Sequence, residues 1–264
     1  MPENAIANKE KTVDALLTGA KRDHLPLAHS FLQRKTRGGK RSPGVLSEFV
    51  RTGAERPLAQ YMLVHAVASG NDFGVARDSK VWARAMGLDF TLPASRTAVS
   101  KNWAWLERHK LIRRERRGRL SKVILLRDDG SGRTYKHPRK VGEPYLRLPY
   151  VYWREGWDTR LDLPSVAILL IALSLGDGFI LPHRQVSQWY GISSSTLSNG
   201  VAGLERHGLL EVRRHKKEAP LAPEGYTWEN AYTLQPPFGP KGAPSSAAKR
   251  RQQKTPSGRK RASR

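Results

Sequence analysis

The chain has no cysteine, so disulfide bridges and thiolate metal sites are excluded, and the redox compartment leaves no trace in the sequence. Long apolar runs are missing too. The longest, Val166 to Leu173, is far short of the roughly 20 residues that span a bilayer. Met1 to Ala20 mixes acidic, basic and polar residues and holds no apolar signal core. Catalytic signatures are lacking: there is no Gly-x-Ser-x-Gly elbow, no His-Glu-x-x-His pair and no paired-carboxylate motif. Gly38-Gly39-Lys40-Arg41 lacks the first glycine, the hydroxyl after the lysine and the preceding apolar strand of a phosphate-binding loop. The chain therefore reads as a soluble protein with no membrane partner, no enzymatic activity, no cofactor and no metal.

Acidic side chains are scarce. Twenty-three Asp and Glu face 47 Lys and Arg over 264 residues, a formal net charge of +24. The excess is concentrated in three places. Residues 21–41 carry seven basic residues against Asp23, residues 108–127 carry nine against Glu115, and residues 241–264 carry nine and no acid. Basic tails can serve solubility alone, but a cluster inside a folded region fits phosphate binding, in which neutralised phosphates release condensed counterions.

One internal repeat organises the chain. Leu106-Glu107-Arg108-His109-Lys110-Leu111-Ile112 returns 98 residues later as Leu204-Glu205-Arg206-His207-Gly208-Leu209-Leu210. Each copy reads as the end of a helix, a short break and the apolar start of a strand. The divisions expected are a basic, mostly disordered tail over 1–42, a first domain over 43–127 and a linker over 128–144. A second domain follows over 145–237, then a basic disordered tail over 238–264 that cannot bury enough apolar surface to fold alone. In the first domain the spacing predicts helices over 57–69, 78–86 and 93–109. Strands are predicted over 111–114 and 122–126, joined by the basic turn 115–119. The second domain repeats the plan with helices over 163–175, 183–190 and 193–207 and strands over 209–213 and 231–234.

Aligning the third helices assigns a buried stripe, Val99, Trp103 and Leu106 in one copy and Leu197, Val201 and Leu204 in the other. Arg96, Thr97, Ser100 and Lys101 then face outward in the first, and Ser194, Ser195, Ser198 and Asn199 in the second. All eight donate or accept hydrogen bonds and none is acidic, whereas a merely solvated face would mix Glu and Lys with Ala. Arg can pair with guanine, Asn with adenine, and Ser or Thr with bases or phosphates. The adjoining strands and turn add Arg113, Arg114, Arg116, Arg117, Arg119 and Lys122 in the first copy and Arg213 and Arg214 in the second. These are candidate clasps for phosphates or the minor groove. His109 and His207, at equivalent helix ends, are expected to cap the last carbonyls rather than to bind metal. The helix over 163–175 is apolar on nearly every side, which calls for cover from Tyr150, Trp153 and Trp157, from the other domain, or from a second chain. A homodimer is the favoured cover, with packing inside the chain as the alternative.

Tyr190-Gly191-Ile192-Ser193-Ser194-Ser195-Thr196-Leu197, followed by the repeat at Leu204, resembles the helix–turn–recognition helix–strand signature of the bacterial winged helix-turn-helix superfamily. The resemblance implies a mainly α fold with small β wings (α+β), arranged as two tandem winged-helix domains with disordered basic tails. It also implies double-stranded DNA as the partner and a cytoplasmic, nucleoid-associated location. Regulators called MarR-like or GntR-like carry one such domain, and a sequence-specific transcriptional regulator is the first expectation. Two in tandem look more like plasmid or phage replication initiators that bind origin repeats, although here the N-terminal copy is the strongly basic one. A non-specific DNA-packing protein is the third.

Overall fold

A computed structural model of the chain describes residues 6–20, 22–35, 38–118 and 120–239, with the side chains of Arg117, His183 and Arg184 outside that description. The charge of residues 1–42 predicts a tail, and this is corrected: the described part of the segment is folded. Asn8 caps α1 (Lys9–Thr18), its side chain accepting from the Lys11 N–H at 2.9 Å. After it come β1 (His24–Ala28), a short helix α2 (His29–Leu32), a hairpin of β2 (Gln33–Lys35) and β3 (Arg41–Pro43), and α3 (Leu46–Arg51). Leu17, Leu25, Leu27, Phe31, Leu32, Leu46 and Phe49 are buried. Their partners lie far along the chain, which local composition does not reveal.

The first repeat unit follows as α4 (Glu55–Val67), β4 (Gly74–Ala76), α5 (Ser79–Ala85), α6 (Pro93–Arg108), β5 (Ile112–Arg117) and β6 (Leu120–Leu125). A 3-10 turn (Pro138–Val141) leads to β7 (Tyr145–Pro149) and two short helices, α7 (Val151–Arg154) and α8 (Trp157–Arg160). The second unit runs α9 (Leu163–Leu175), β8 (Phe179–Ile180), α10 (His183–Tyr190), α11 (Ser194–Arg206), β9 (Leu210–Glu218) and β10 (Tyr226–Leu234). Both units order their antiparallel strands alike, β4-β6-β5 and β8-β10-β9. The fold is α+β, helices with small antiparallel sheets. Among the described residues no helix is long and apolar enough to cross a membrane.

The repeated heptapeptide makes the same backbone turn twice. The Leu111 and Leu209 N–H groups donate to the Leu106 and Leu204 carbonyls at 3.0 and 2.9 Å. The break residue is left-handed in both, Lys110 at φ 57° and Gly208 at φ 68°. His109 places Nδ1 2.8 Å from the Trp105 carbonyl oxygen, while His207 meets Trp157 edge-on. The strands after the turn run longer than their apolar stretches imply. β5 reaches Arg117, so most of the basic turn expected over 115–119 is strand, and β9 and β10 each extend nine residues.

The two units are not joined by a free linker. β1 pairs antiparallel with β7, Leu25 opposite Leu148 and Leu27 opposite Leu146. The pairing is reciprocal: His29 N–H donates to the Pro144 carbonyl and Tyr150 N–H to the Asp23 carbonyl, both at 2.9 Å. Each donor and acceptor is related to its counterpart by the same shift of 121 positions, as an approximate two-fold axis through β1 and β7 requires. Buried Phe31 and Leu32 match buried Tyr152 and Trp153 under that shift. The expected linker, 128–144, is likewise built into the core, with Asp128, Tyr135 and Pro138 buried. Asp128 accepts from the Ala28 N–H (2.9 Å), the Tyr61 hydroxyl (2.8 Å) and His65 Nε2 (3.0 Å). Burial and the Asp128 carboxylate push the Tyr61 hydroxyl pKa well above its ordinary value. Of the expected C-terminal tail, only Phe238 and Gly239 are described, and Phe238 is buried against Tyr152 and Trp157.

The cover of α9 comes from within the chain. Leu163 and Ser165 through Ala172 are buried, packed by β7, α11, α3 and α2. The ground for favouring a homodimer is thereby removed, because the apolar faces are already covered. α11 approaches α9 at Gly200, where a β-carbon would stand 2.5 Å from both Ile168 Cγ1 and the Pro164 carbonyl oxygen. Gly200 and Gly203 thus belong to the buried stripe, with Val201 only half-buried beside them. The matching helix of the first unit, α6, uses an amide pair at this level instead, Asn102 donating to Gln60 at 2.8 Å.

Candidate nucleic-acid interface

Each third helix turns one face to the core and leaves the other open. On α6, Ser95, Val99, Asn102, Trp103 and Leu106 are buried, and Arg96, Thr97, Ser100 and Lys101 are exposed. On α11, Leu197, Gly200, Gly203 and Leu204 are buried, and Ser194, Ser195, Ser198 and Asn199 are exposed. The eight outward residues therefore lie on two open helix faces of unlike chemistry, one cationic and one neutral. Ser193 caps α11, accepting from the Thr196 N–H at 3.1 Å.

The β5–β6 and β9–β10 hairpins do not present their charge as one clasp. Side chains of a strand alternate between faces, so neighbours in sequence point oppositely. Arg114 lies opposite Val123 in the ladder and faces the helices with it, lining a groove of about 320 Å³ with Arg77, Ser79, Arg96, Ser100 and Ser121. Arg116, opposite Ser121, shares that face and is exposed. Arg113 belongs to the other face, where it pairs with Glu115. Lys122 also lies there, paired with Asp72, and its ammonium holds the Asp72 carboxyl below the usual carboxylate range. Arg114 is itself tied to Glu107 of α6 at 2.6 Å, and its Nε is buried without a partner. Arg119 and the Arg117 side chain lie outside the described residues.

The β9–β10 hairpin repeats the division. Arg213 pairs with Glu211 at 3.0 Å on one face. Arg214 lies on the opposite face, its guanidinium 4.4 Å above the Trp228 ring, and Lys216 stands 4.0 Å above Tyr226. This cation–aromatic ladder leaves Trp228 half exposed.

No family model, curated protein or solved structure matches the chain. The interface therefore rests on its own geometry. That geometry brings Arg96, Ser100, Arg114 and Arg116 to one side of the first unit and separates Arg113 and Lys122 from them. Arg77, Ser79 and Ser121 join the groove although charge counting overlooked them; the N-terminal position of Arg77 and Ser79 beside a helix start was the available signal.

The pleat yields a direct test. Arg116→Ala is expected to reduce the slope of log K against log salt for duplex binding by about 0.9, one phosphate contact. Arg113→Ala should leave the slope unchanged. Equal effects from the two variants in a fluorescence-anisotropy salt series would show that the faces are not distinguished.

Proposed function

We propose that this protein binds double-stranded DNA sequence-specifically through two winged-helix units held in one rigid chain. The observation that carries the reading is the matched pair of units. Each has a helix–strand–helix–helix–strand–strand order, the same strand arrangement and an uncovered third helix free of acid at its N-terminal half. The helix that would enter the major groove adjoins exposed or groove-lining arginines in the first unit, and hydroxyls with one carboxamide in the second.

Transcriptional regulation from an operator is the first reading. Binding of origin repeats in replication initiation is the second, and the unlike faces of α6 and α11 favour it. Two different half-sites make a directional, non-palindromic target, as directly repeated sites are, whereas symmetric operators suit identical subunits. Selection of genomic fragments by the full chain at about 150 mM salt tests the proposal, since non-specific affinity is weak there. The expected result is enrichment of one non-palindromic site, reduced by Arg96→Ala or Asn199→Ala at different base positions. Clusters of that site at an origin would assign initiation, and isolated copies beside promoters would assign regulation. Uniform recovery of all fragments would leave only electrostatic packing of DNA.

A further inference from the structure

The β2–β3 hairpin is an addition to the first unit that lies on the second. The end of β1 (Ala28) and the start of α4 (Glu55) are 27 positions apart, but the matching points Pro149 and Leu163 are only 14 apart. Between Gln33 and Pro43 this extra chain carries Arg34, Lys35, Arg37, Lys40 and Arg41 and no acidic residue. β3 packs against α10 of the second unit, with the Arg41 guanidinium 4.4 Å over the Trp189 ring. The contact continues to Gly191, where a β-carbon would meet Ser47 Cβ at 2.7 Å and Pro43 Cβ at 3.0 Å. Gly191 sits in the turn between α10 and α11, so the hairpin is fixed beside the helix proposed to read bases. At its other edge, Arg34 donates to the Asp129 carbonyl at 2.7 Å. Gly38 and Gly39, ahead of β3, face open space, since an added β-carbon at either would touch nothing within 4 Å. Lys35 at the end of β2 and Lys40 just before β3 are exposed.

Charge explains what this placement accomplishes. α6 brings its own cations, Arg96 and Lys101, to its outer face. Ser194, Ser195, Ser198 and Asn199 of α11 bring none, so a helix there approaches a polyanion without neutralising it. We propose that the β2–β3 hairpin is a phosphate-gripping arm that supplies the missing positive charge beside α11 on the same DNA duplex. The proposal rests on the DNA-binding reading above and adds a contact made by neither third helix nor either wing.

The test uses the full chain and a fluorescein-labelled mixed-sequence duplex of about 40 base pairs, titrated across a salt series. Lys35→Gln/Lys40→Gln should lower the slope of log K against log salt by about two, at roughly 0.9 per phosphate. Arg96→Ala/Lys101→Ala is the companion variant. If it leaves binding intact, the DNA-binding reading itself fails. If it weakens binding while the hairpin variant keeps the parent slope, the hairpin proposal alone is overturned, as it would be were the arm a grip for RNA or an acidic protein. Position supplies an independent readout. The chain has no cysteine, so Lys40→Cys and, separately, Asn199→Cys each carry a single iron–EDTA group on duplex bound at the selected site. Cuts from the two within one helical turn support the proposal. Cuts from Lys40→Cys beside the half-site of α6, or none at all, overturn it.

Discussion

Asp128→Ala is expected to lower the stability of the protein by about 3–5 kcal/mol, a large share of the roughly 5–15 kcal/mol typical of native proteins. The carboxylate is buried and accepts from the Tyr61 hydroxyl, His65 Nε2 and the Ala28 backbone N–H. Alanine leaves all three without an acceptor in a site too enclosed for ready hydration, and an orphaned buried donor costs about 1–3 kcal/mol. Asp128→Asn should recover only part of the loss, since its amide nitrogen would face donors. The network joins β1, α4 and the segment after β6, so local repacking cannot absorb the change. Urea unfolding of the two variants checks this, and a loss below about 1 kcal/mol for Asp128→Ala would show that the donors find other partners.

Gly200→Ala is expected to destabilise by about 1–3 kcal/mol, although alanine is the better helix former by about 0.5–1 kcal/mol in a helix interior. The sign is decided by what the methyl meets. Two of its neighbours are backbone atoms of Pro164 and the third is Cγ1 of Ile168, on a stiff β-branched side chain, so the contact is relieved mainly by parting α9 from α11. Gly203→Ala is the natural contrast, because the atom in its way is the Ser165 hydroxyl, which can rotate or be removed by Ser165→Ala. A rise in thermal midpoint for Gly200→Ala would mean the helices are not in close contact.

The helices were legible in the chain because their apolar residues recur at helical spacing and their ends carry local signals. Asp78, Gly191 and Gly208 each mark a boundary where the structure places one. The outward faces of α6 and α11 followed from the same periodicity. What local reading missed was non-local. Residues 24–32 looked like part of a charged tail because their burial depends on β7, more than a hundred positions away. The cover of α9 pointed toward a second chain for the same reason, when α11 and β7 supply most of it and the distant α2 and α3 complete it. The division of β5 was legible in principle: Arg113, Arg114, Glu115 and Arg116 alternate, and counting their charge together concealed the two faces they occupy.

The reciprocal pairing of β1 with β7 also sets how the protein responds to dilution. Two separate subunits joined across such an axis come apart as their concentration falls. Here the partners share one backbone, so the two halves stay paired whatever the copy number. Occupancy of a two-part DNA site would then rise with the first power of protein concentration, without an assembly threshold. On the DNA-binding reading proposed above, α6 and α11 would then reach such a site on one molecule.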